Sequence, residues 1–167
     1  VLKHIKAGAD LNSPNQHNEL PLYLAAMDLK CGIVDLLLQH GADINGGHPS
    51  PLNMAIEASG GLEVAQLLLH RGARVNKSTA SNEGHLSTPL QCAAWYGEEE
   101  IAQALMEFIS LDASCNNNPH AITSCADEHP LSIAGQNEHT EIAAILLKHG
   151  LSPFYVDDDG NSVMECV

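Results

Sequence analysis

Three short segments of the chain are nearly the same: KAGADLN at 6–12, QHGADIN at 39–45 and RGARVN at 71–76. Their glycines, Gly8, Gly41 and Gly72, follow one another after 33 and 31 residues. Self-similarity at such a period is typical of chains in which one small unit stacks on copies of itself. The spacing therefore predicts a repeat array, in which each unit contacts its neighbours, and not a fold closed around one central core.

A Pro-Leu pair opens each unit, and where a stop glycine follows, it does so after 20 or 21 residues. Proline suits the first helical position because its missing N–H is not needed there. Ser50 and Thr88 are placed to cap the N–H groups behind it. Further along, apolar residues recur at i, i+3 and i+4, as in IVDLLLQHG and EVAQLLLHRG, which indicates a second, amphipathic helix. Each unit is thus predicted to be helix, turn, helix, left-handed glycine stop and projecting loop.

This pattern resembles the ankyrin repeat over nearly the whole chain. The specific matches are Thr88-Pro89-Leu90 followed by Ala93-Ala94 and Gly97, and the run Gly41-Ala42-Asp43-Ile44-Asn45. The resemblance implies an all-α ankyrin-repeat solenoid of helix-turn-helix units, forming a single array over residues 1–167. Its expected divisions are a partial repeat at 1–12, repeats at about 13–45, 46–76, 77–116 and 117–153, and a partial repeat at 154–167. Because both ends fall inside a repeat, we expect the chain to be a fragment of a longer protein.

The chain departs from the family pattern in three ways. The family usually has a histidine two residues after the proline that bonds between repeats. Here that position holds Tyr23, Asn53, Gln91 and Ser132. The polar segments at 77–88 and 117–129 are longer than the usual loops, and insertions in repeats often map to a binding face. Extra length also follows Glu107, where the usual short exit is missing.

Composition limits the partners. Seven basic and 21 acidic side chains give a formal net charge of −14, which disfavours nucleic acid because phosphate contacts need clustered Lys and Arg. It equally disfavours an anionic membrane surface, and no apolar run approaches the length of a membrane span. We expect a protein or peptide partner, with basic residues steered by this field. Five cysteines without a CxxC pair are read as reduced thiols, which favours a cytoplasmic or nuclear location.

No catalytic, cofactor or metal site is expected. Cys115, His120, Cys125 and His129 lie close in sequence, but their spacing is not that of a recognised zinc site. The acidic run at 157–159 lacks the ligands that a calcium loop needs at its first and last positions. Phosphate loops, nucleophile elbows and HExxH motifs are absent. Cys92 falls at a position that the family uses for packing, and buried thiols are inert. The chain is therefore not expected to be an enzyme.

Asn12, Asn45 and Asn76 recur at equivalent positions, where the family usually uses asparagine to tie the loop together. Some family members are hydroxylated at this residue by an enzyme that favours leucine eight residues earlier. Leu37 and Leu68 have that spacing, so a modification of Asn45 or Asn76 stays open beside the structural role.

The resemblance also implies where a partner binds, namely the loop tips and first helices that line the concave face in this family. Trp95 and Tyr96 are two of only six aromatic residues, and Trp and Tyr are common binding hot spots. The other positions expected on this surface are His17, Glu19, Met27, Asp28, Glu57, His85, Gln136 and Asn137. The predicted function is a protein-protein interaction module. A structural spacer is the alternative, as is a segment of a larger machine such as a ubiquitin ligase substrate receptor or an ion channel.

Overall fold

The computed structural model of the chain describes residues 3, 5, 7–76, 79–80, 86–111 and 129–154. Eight helices lie wholly within these residues and pack in pairs, which confirms the predicted all-α class. The chain divides into two compact units. The first comprises Val1–Arg74 and Thr79–Leu86, and the second comprises Val75–Ser78 and Ser87–Val167.

The first unit contains two helical pairs. The helices are α1 (Pro21–Met27), α2 (Cys31–Gln39), α3 (Pro51–Glu57) and α4 (Leu62–His70). The short first helices α1 and α3 pack against each other, and so do the second helices α2 and α4. Arg71, just after α4, forms an ion pair with Asp35 of α2, which adds a polar tie between the second helices.

The second unit repeats the arrangement. Its helices are α5 (Pro89–Tyr96), α6 (Glu99–Leu111), α7 (Pro130–Gln136) and α8 (Thr140–Lys148). Here α5 packs against α7 and α6 against α8, while each first helix also packs on the second helix that follows it. The sequence indicates extra length after Glu107, and in the structure this length is helical, because α6 continues to Leu111 with Ile109 buried.

A pair of two-residue strands is the one element that the periodicity does not predict. Strands β1 (Thr79–Ala80) and β2 (Leu86–Ser87) pair as a two-stranded sheet within the long polar segment at 77–88. Because they lie outside the helical repeat pattern, they leave the helix-turn-helix template unchanged. Most of the other long segment, 117–129, lies outside the described residues.

All four first helices in the described residues begin with proline, and Ser50 and Thr88 cap two of them as predicted. The Ser50 hydroxyl accepts a hydrogen bond from the Asn53 N–H at 3.2 Å. Thr88 and Gln91 form a reciprocal capping box, in which the Thr88 hydroxyl accepts from the Gln91 N–H and the Gln91 side chain accepts from the Thr88 N–H. Before α7, His129 Nδ1 accepts from the Leu131 N–H at 3.2 Å. The caps satisfy N–H groups that a short buried helix would otherwise leave without acceptors.

Three of the second helices end in the same way. The residue after the stop glycine donates its N–H back across the last turn, as Ala42 does to the Leu37 carbonyl at 3.0 Å. The glycine itself donates to the next carbonyl, Leu38. This pair of hydrogen bonds requires a residue in the left-handed conformation, and Gly41 has φ of 89°. The predicted glycine stops are therefore confirmed at Gly41, and likewise at Gly72 and Gly150.

The turn between the two helices of a repeat also contains a left-handed residue. It stands eight residues after the proline in three repeats: Leu29, Gly97 and Glu138, with φ of 53°, 75° and 60°. Non-glycine residues there carry a steric cost because Cβ approaches the backbone carbonyl. Leu29 and Glu138 must therefore be held in place by the packing on either side.

Small side chains allow the first helices to approach closely. Ala26, Ala55, Ala93 and Ala134 are completely buried. The polar residues two positions after the proline are buried too, and Asn53 accepts a hydrogen bond from the Ser50 hydroxyl. The positions where the family usually has histidine thus carry other hydrogen-bonding groups here, several of which take part in helix caps.

Asparagine side chains tie successive loops together in the first unit. Asn12 Oδ1 accepts from the Asp43 N–H at 2.8 Å, and Asn12 Nδ2 donates to the Gly41 carbonyl at 3.1 Å. Asn45 repeats the link one unit later, accepting from the Arg74 N–H at 2.9 Å. The structural role expected of Asn12 and Asn45 is present, because each joins its own loop to the next one.

Candidate functional site

The end of α5 presents the largest side chain of the predicted surface. Trp95 has 46% of its surface exposed, whereas the preceding residues Cys92, Ala93 and Ala94 are buried. Gln136 occupies the same register position, six residues after the proline, on the neighbouring helix α7, and it is exposed as well. Since α5 and α7 pack against each other, these two positions lie on adjacent helices. We call Trp95, Tyr96, Gln136 and Asn137 the aromatic surface.

The other two members of the aromatic surface are less accessible. Tyr96 is half-buried, and Asn137 is half-buried at the C-cap of α7. The Asn137 side-chain amide donates to the Ile133 carbonyl of its own helix at 2.9 Å. A partner on this surface would therefore meet Trp95 and Gln136 first.

His139 is a residue that sequence reasoning missed. Its Nε2 lies 3.3 Å from the Trp95 carbonyl oxygen, and its ring packs so closely on Gly97 that a Cβ there would come within 2.8 Å of Cε1. The imidazole thereby fixes the backbone that carries Trp95. A weak signal for it exists in the sequence, because His139 directly follows Glu138, the residue aligned with Gly97.

The predicted positions of the first unit form a different kind of surface. Met27, at the end of α1, is 38% exposed, and Asp28 next to it is exposed. Glu57 is half-buried at the end of α3. We call Glu19, Met27, Asp28 and Glu57 the acidic surface.

Tyr23 lies among the carboxylates of this surface. The pKa of its phenol is raised above the ordinary value by burial, and further by the negative charges of Glu19 and Glu57. The two carboxylates, one from a loop tip and one from α3, are thus close enough to act on the same hydroxyl. The sequence pointed to Tyr23 only as a departure from the family histidine.

The loop tip before α1 is held by a small hydrogen-bond network. Asn15 Oδ1 accepts from the N–H groups of His17 and Glu19, and Asn15 Nδ2 donates to the Glu19 carboxylate at 2.8 Å. His17 is fully exposed at this tip, and Glu19 is half-buried. The remaining predicted position, His85, lies outside the described residues.

Negative charge follows the helix that carries Trp95. Glu98 follows α5 by two residues, and burial raises the pKa of its carboxyl, with a further contribution from Glu100. Helix C-termini carry partial negative charge, and α5 and α7 both end at this surface. The local field thus favours a cationic group.

The described part of the chain contains no group of three or more His, Cys, Asp and Glu side chains able to hold a metal ion. Of the four residues weighed for zinc, only His129 is described, and its Nδ1 caps α7. In the same residues, every helix is too short or too polar to cross a bilayer.

The sequence and the fold of this chain are both similar to those of known proteins. Residues 1–79 match the family model described as ankyrin repeats in three copies. The chain is an ankyrin-repeat protein. The match ends within the long polar segment at 77–88. The crystal structure of the human ASB11 ankyrin repeat domain superimposes on 97% of this chain and 68% of that one, with a TM-score of 0.72 and 21% identity. That likeness shows the ankyrin fold over nearly all of the chain.

Curated relatives are much longer than this chain. Human ankyrin repeat and SOCS box protein 6 is 29% identical over 80% of this chain and 31% of its own length. Human transient receptor potential cation channel subfamily A member 1 is 27% identical over 93% of this chain and 17% of its own length. The chain therefore spans less than a third of either relative. Neither name is that of an enzyme, and ankyrin repeats are typically non-catalytic modules that bind proteins.

Proposed function

We propose that this ankyrin-repeat chain is a non-catalytic module that holds a protein or peptide segment on the exposed ends of its first helices and on its loop tips. The observation that carries the proposal is Trp95, which keeps 46% of its surface exposed on a helix whose preceding residues are buried. Trp is among the commonest binding hot spots, so an exposed indole at this position supports a partner contact.

The partner segment pairs an apolar anchor with basic residues. Trp95 and Met27 supply exposed apolar area in the second and first units respectively. Acidic groups stand beside each, namely Asp28 and Glu57 in the first unit and Glu98 in the second. A net charge of −14 would steer a basic partner and raise its association rate.

The module belongs, in this proposal, to a larger protein that works in the cytoplasm or nucleus. The chain covers only 31% and 17% of two relatives whose names include a SOCS box and a cation channel. A substrate receptor of a ubiquitin ligase or a channel is therefore the second candidate context, and a spacer without a partner is the third.

The test is affinity capture from cell lysate, followed by a quantitative binding measurement on the captured protein. Three forms of the chain are compared: wild type, Trp95→Ala and Phe154→Ala. Phe154 is a matched control because it is also an exposed aromatic of the second unit, 76% accessible, but lies outside the predicted surface. Circular dichroism establishes that all three are folded.

We expect Trp95→Ala to weaken binding about 30-fold, the effect of a hot-spot residue, while Phe154→Ala stays within about twofold of wild type. Equal binding by all three would move the site to the segments at 77–88 and 117–129. If wild type captures nothing specific, the spacer replaces the binding module.

A further inference from the structure

The backbone that carries Trp95 is fixed before any partner arrives. The five residues before it are all buried and hold α5 in the second unit. Four of them are apolar, namely Leu90, Cys92, Ala93 and Ala94. Beyond it, His139 lies against the Trp95 carbonyl oxygen and the Gly97 backbone. The backbone beneath the partly exposed indole is thus fixed in advance, which lowers the entropy cost when a ligand stacks on it.

The described part of the second unit carries mostly negative charge. In the described part of the second unit, histidines apart, one basic residue, Lys148, accompanies six acidic ones. The acidic residues are Glu98, Glu99, Glu100, Glu107, Glu138 and Glu141. Glu98 and Glu138 directly follow the ends of the two helices that form the aromatic surface, where the helix dipoles add partial negative charge.

The raised pKa of the Glu98 carboxyl agrees with this picture. Its causes are burial and the neighbouring charge of Glu100, both of which an incoming positive group would offset. The aromatic surface therefore combines an exposed indole with the ends of two helices, each followed by a glutamate.

We propose that the aromatic surface binds a peptide segment through an arginine whose guanidinium stacks on the Trp95 indole. This inference rests on the proposed function and names the residue that the partner must supply. A cation over an indole face is attracted by the ring quadrupole. Arginine suits the site better than lysine because a stacked guanidinium keeps its N–H donors in plane and available to carboxylate and carbonyl acceptors.

The probe is a phage-displayed random dodecapeptide library, selected on the immobilised 167-residue chain at low ionic strength. We expect enriched peptides to share an arginine next to an apolar residue. One selected peptide is then synthesised with arginine, lysine or citrulline at that position. Citrulline keeps the planar shape of arginine but removes its charge.

Each peptide is titrated against wild type, Trp95→Phe and Trp95→Leu, with circular dichroism as the folding control. Leucine keeps apolar area but lacks a π face, and phenylalanine keeps a weaker one. We expect citrulline to weaken binding to wild type about 5- to 30-fold and lysine to weaken it less. Against Trp95→Leu, the advantage of the arginine peptide over the citrulline peptide should shrink to the part contributed by acidic groups, because the stacking partner has gone.

The remaining outcomes separate this inference from the function beneath it. Peptides without arginine that still lose affinity for Trp95→Leu would overturn the arginine assignment and leave the binding module intact. An arginine preference of undiminished size in Trp95→Leu would also overturn it, since the guanidinium would then bind elsewhere. Selection of no peptide above an empty-phage control would count against both.

Discussion

The two units of the molecule are alike where they are buried and different where they are exposed. In both, the leucine after the proline and the alanine four residues after the proline are buried. Left-handed glycines end α2 and α4 in the first unit and α8 in the second. The positions six and seven residues after the proline differ. In the first unit they are Met27, Asp28, Glu57 and Ala58, and in the second Trp95, Tyr96, Gln136 and Asn137. Repeat packing thus fixes the interior and leaves these outer positions to specify a partner.

The largest test of this comparison uses the equivalent leucines Leu52 and Leu90, which are both fully buried. We expect Leu52→Ala and Leu90→Ala each to lower the free energy of unfolding by about 2–5 kcal/mol, since each leaves a cavity. Urea unfolding followed by circular dichroism measures both. Leu147→Ala is the control because Leu147 is 46% exposed and should lose less than about 1 kcal/mol. If the two substitutions lowered the free energy of unfolding by clearly different amounts, the equivalent leucines would be packed differently in the two units.

Helix caps give the next largest effect. Thr88→Ala removes the acceptor for the buried N–H of Gln91 and should cost about 1–2 kcal/mol. Ser50→Ala, the equivalent change in the first unit, removes the acceptor for Asn53 and should cost a similar amount. Thr88→Ser keeps the hydroxyl and should stay close to wild type in the same denaturation assay. If Thr88→Ala were no less stable than Thr88→Ser, the cap would contribute nothing.

Two substitutions at the left-handed position eight residues after the proline should have smaller effects on stability, and these effects should be opposite in sign. Glu138 is exposed with φ of 60°, so Glu138→Gly should raise the free energy of unfolding by about 1 kcal/mol. The reverse change at the equivalent residue, Gly97→Ala, should lower it by more than about 1 kcal/mol, because φ is positive and the new Cβ meets His139. Thermal unfolding of both variants measures these changes. A loss of stability in Glu138→Gly would show that the Glu138 side chain stabilises the fold by more than its backbone strain costs.

These examples also show how far sequence reasoning reaches. The helices, their proline starts, the caps at Ser50 and Thr88 and the glycine stops follow from spacing and residue type, because each depends on local backbone chemistry. The left-handed Leu29 and Glu138 could not be predicted, since these residue types disfavour that conformation and tertiary packing imposes it. The contact of His139 with Trp95 joins residues 44 positions apart. No local pattern encodes it, although the exposed position of Trp95 itself could be inferred from its place in the repeat.

The smallest expected effect is a pH dependence of stability in the first unit, which arises from the raised pKa of Tyr23. The pKa of Tyr23 is raised above 10.0 in the folded chain by burial, Glu19 and Glu57. The folded state therefore holds the phenolic proton more tightly than the unfolded state, so the stability from this residue is complete below pH 10 and is lost as pH rises through the folded pKa. The stability difference between wild type and Tyr23→Phe should accordingly shrink as the pH is raised above about 10.

Absorbance titration of tyrosine at alkaline pH provides the direct measurement. Glu57→Gln and Glu19→Gln each remove one neighbouring negative charge, so each should lower the pKa of Tyr23 towards its ordinary value, and the Tyr23→Phe spectrum identifies the component to follow. Asp43→Asn is a suitable control because it neutralises a carboxylate that is not among the causes of the Tyr23 shift. If Glu57→Gln moved the titration no more than Asp43→Asn does, the carboxylates would not act on Tyr23. The acidic surface would then owe its character to the net charge of the chain and not to the placement of Glu19 and Glu57 around one phenol.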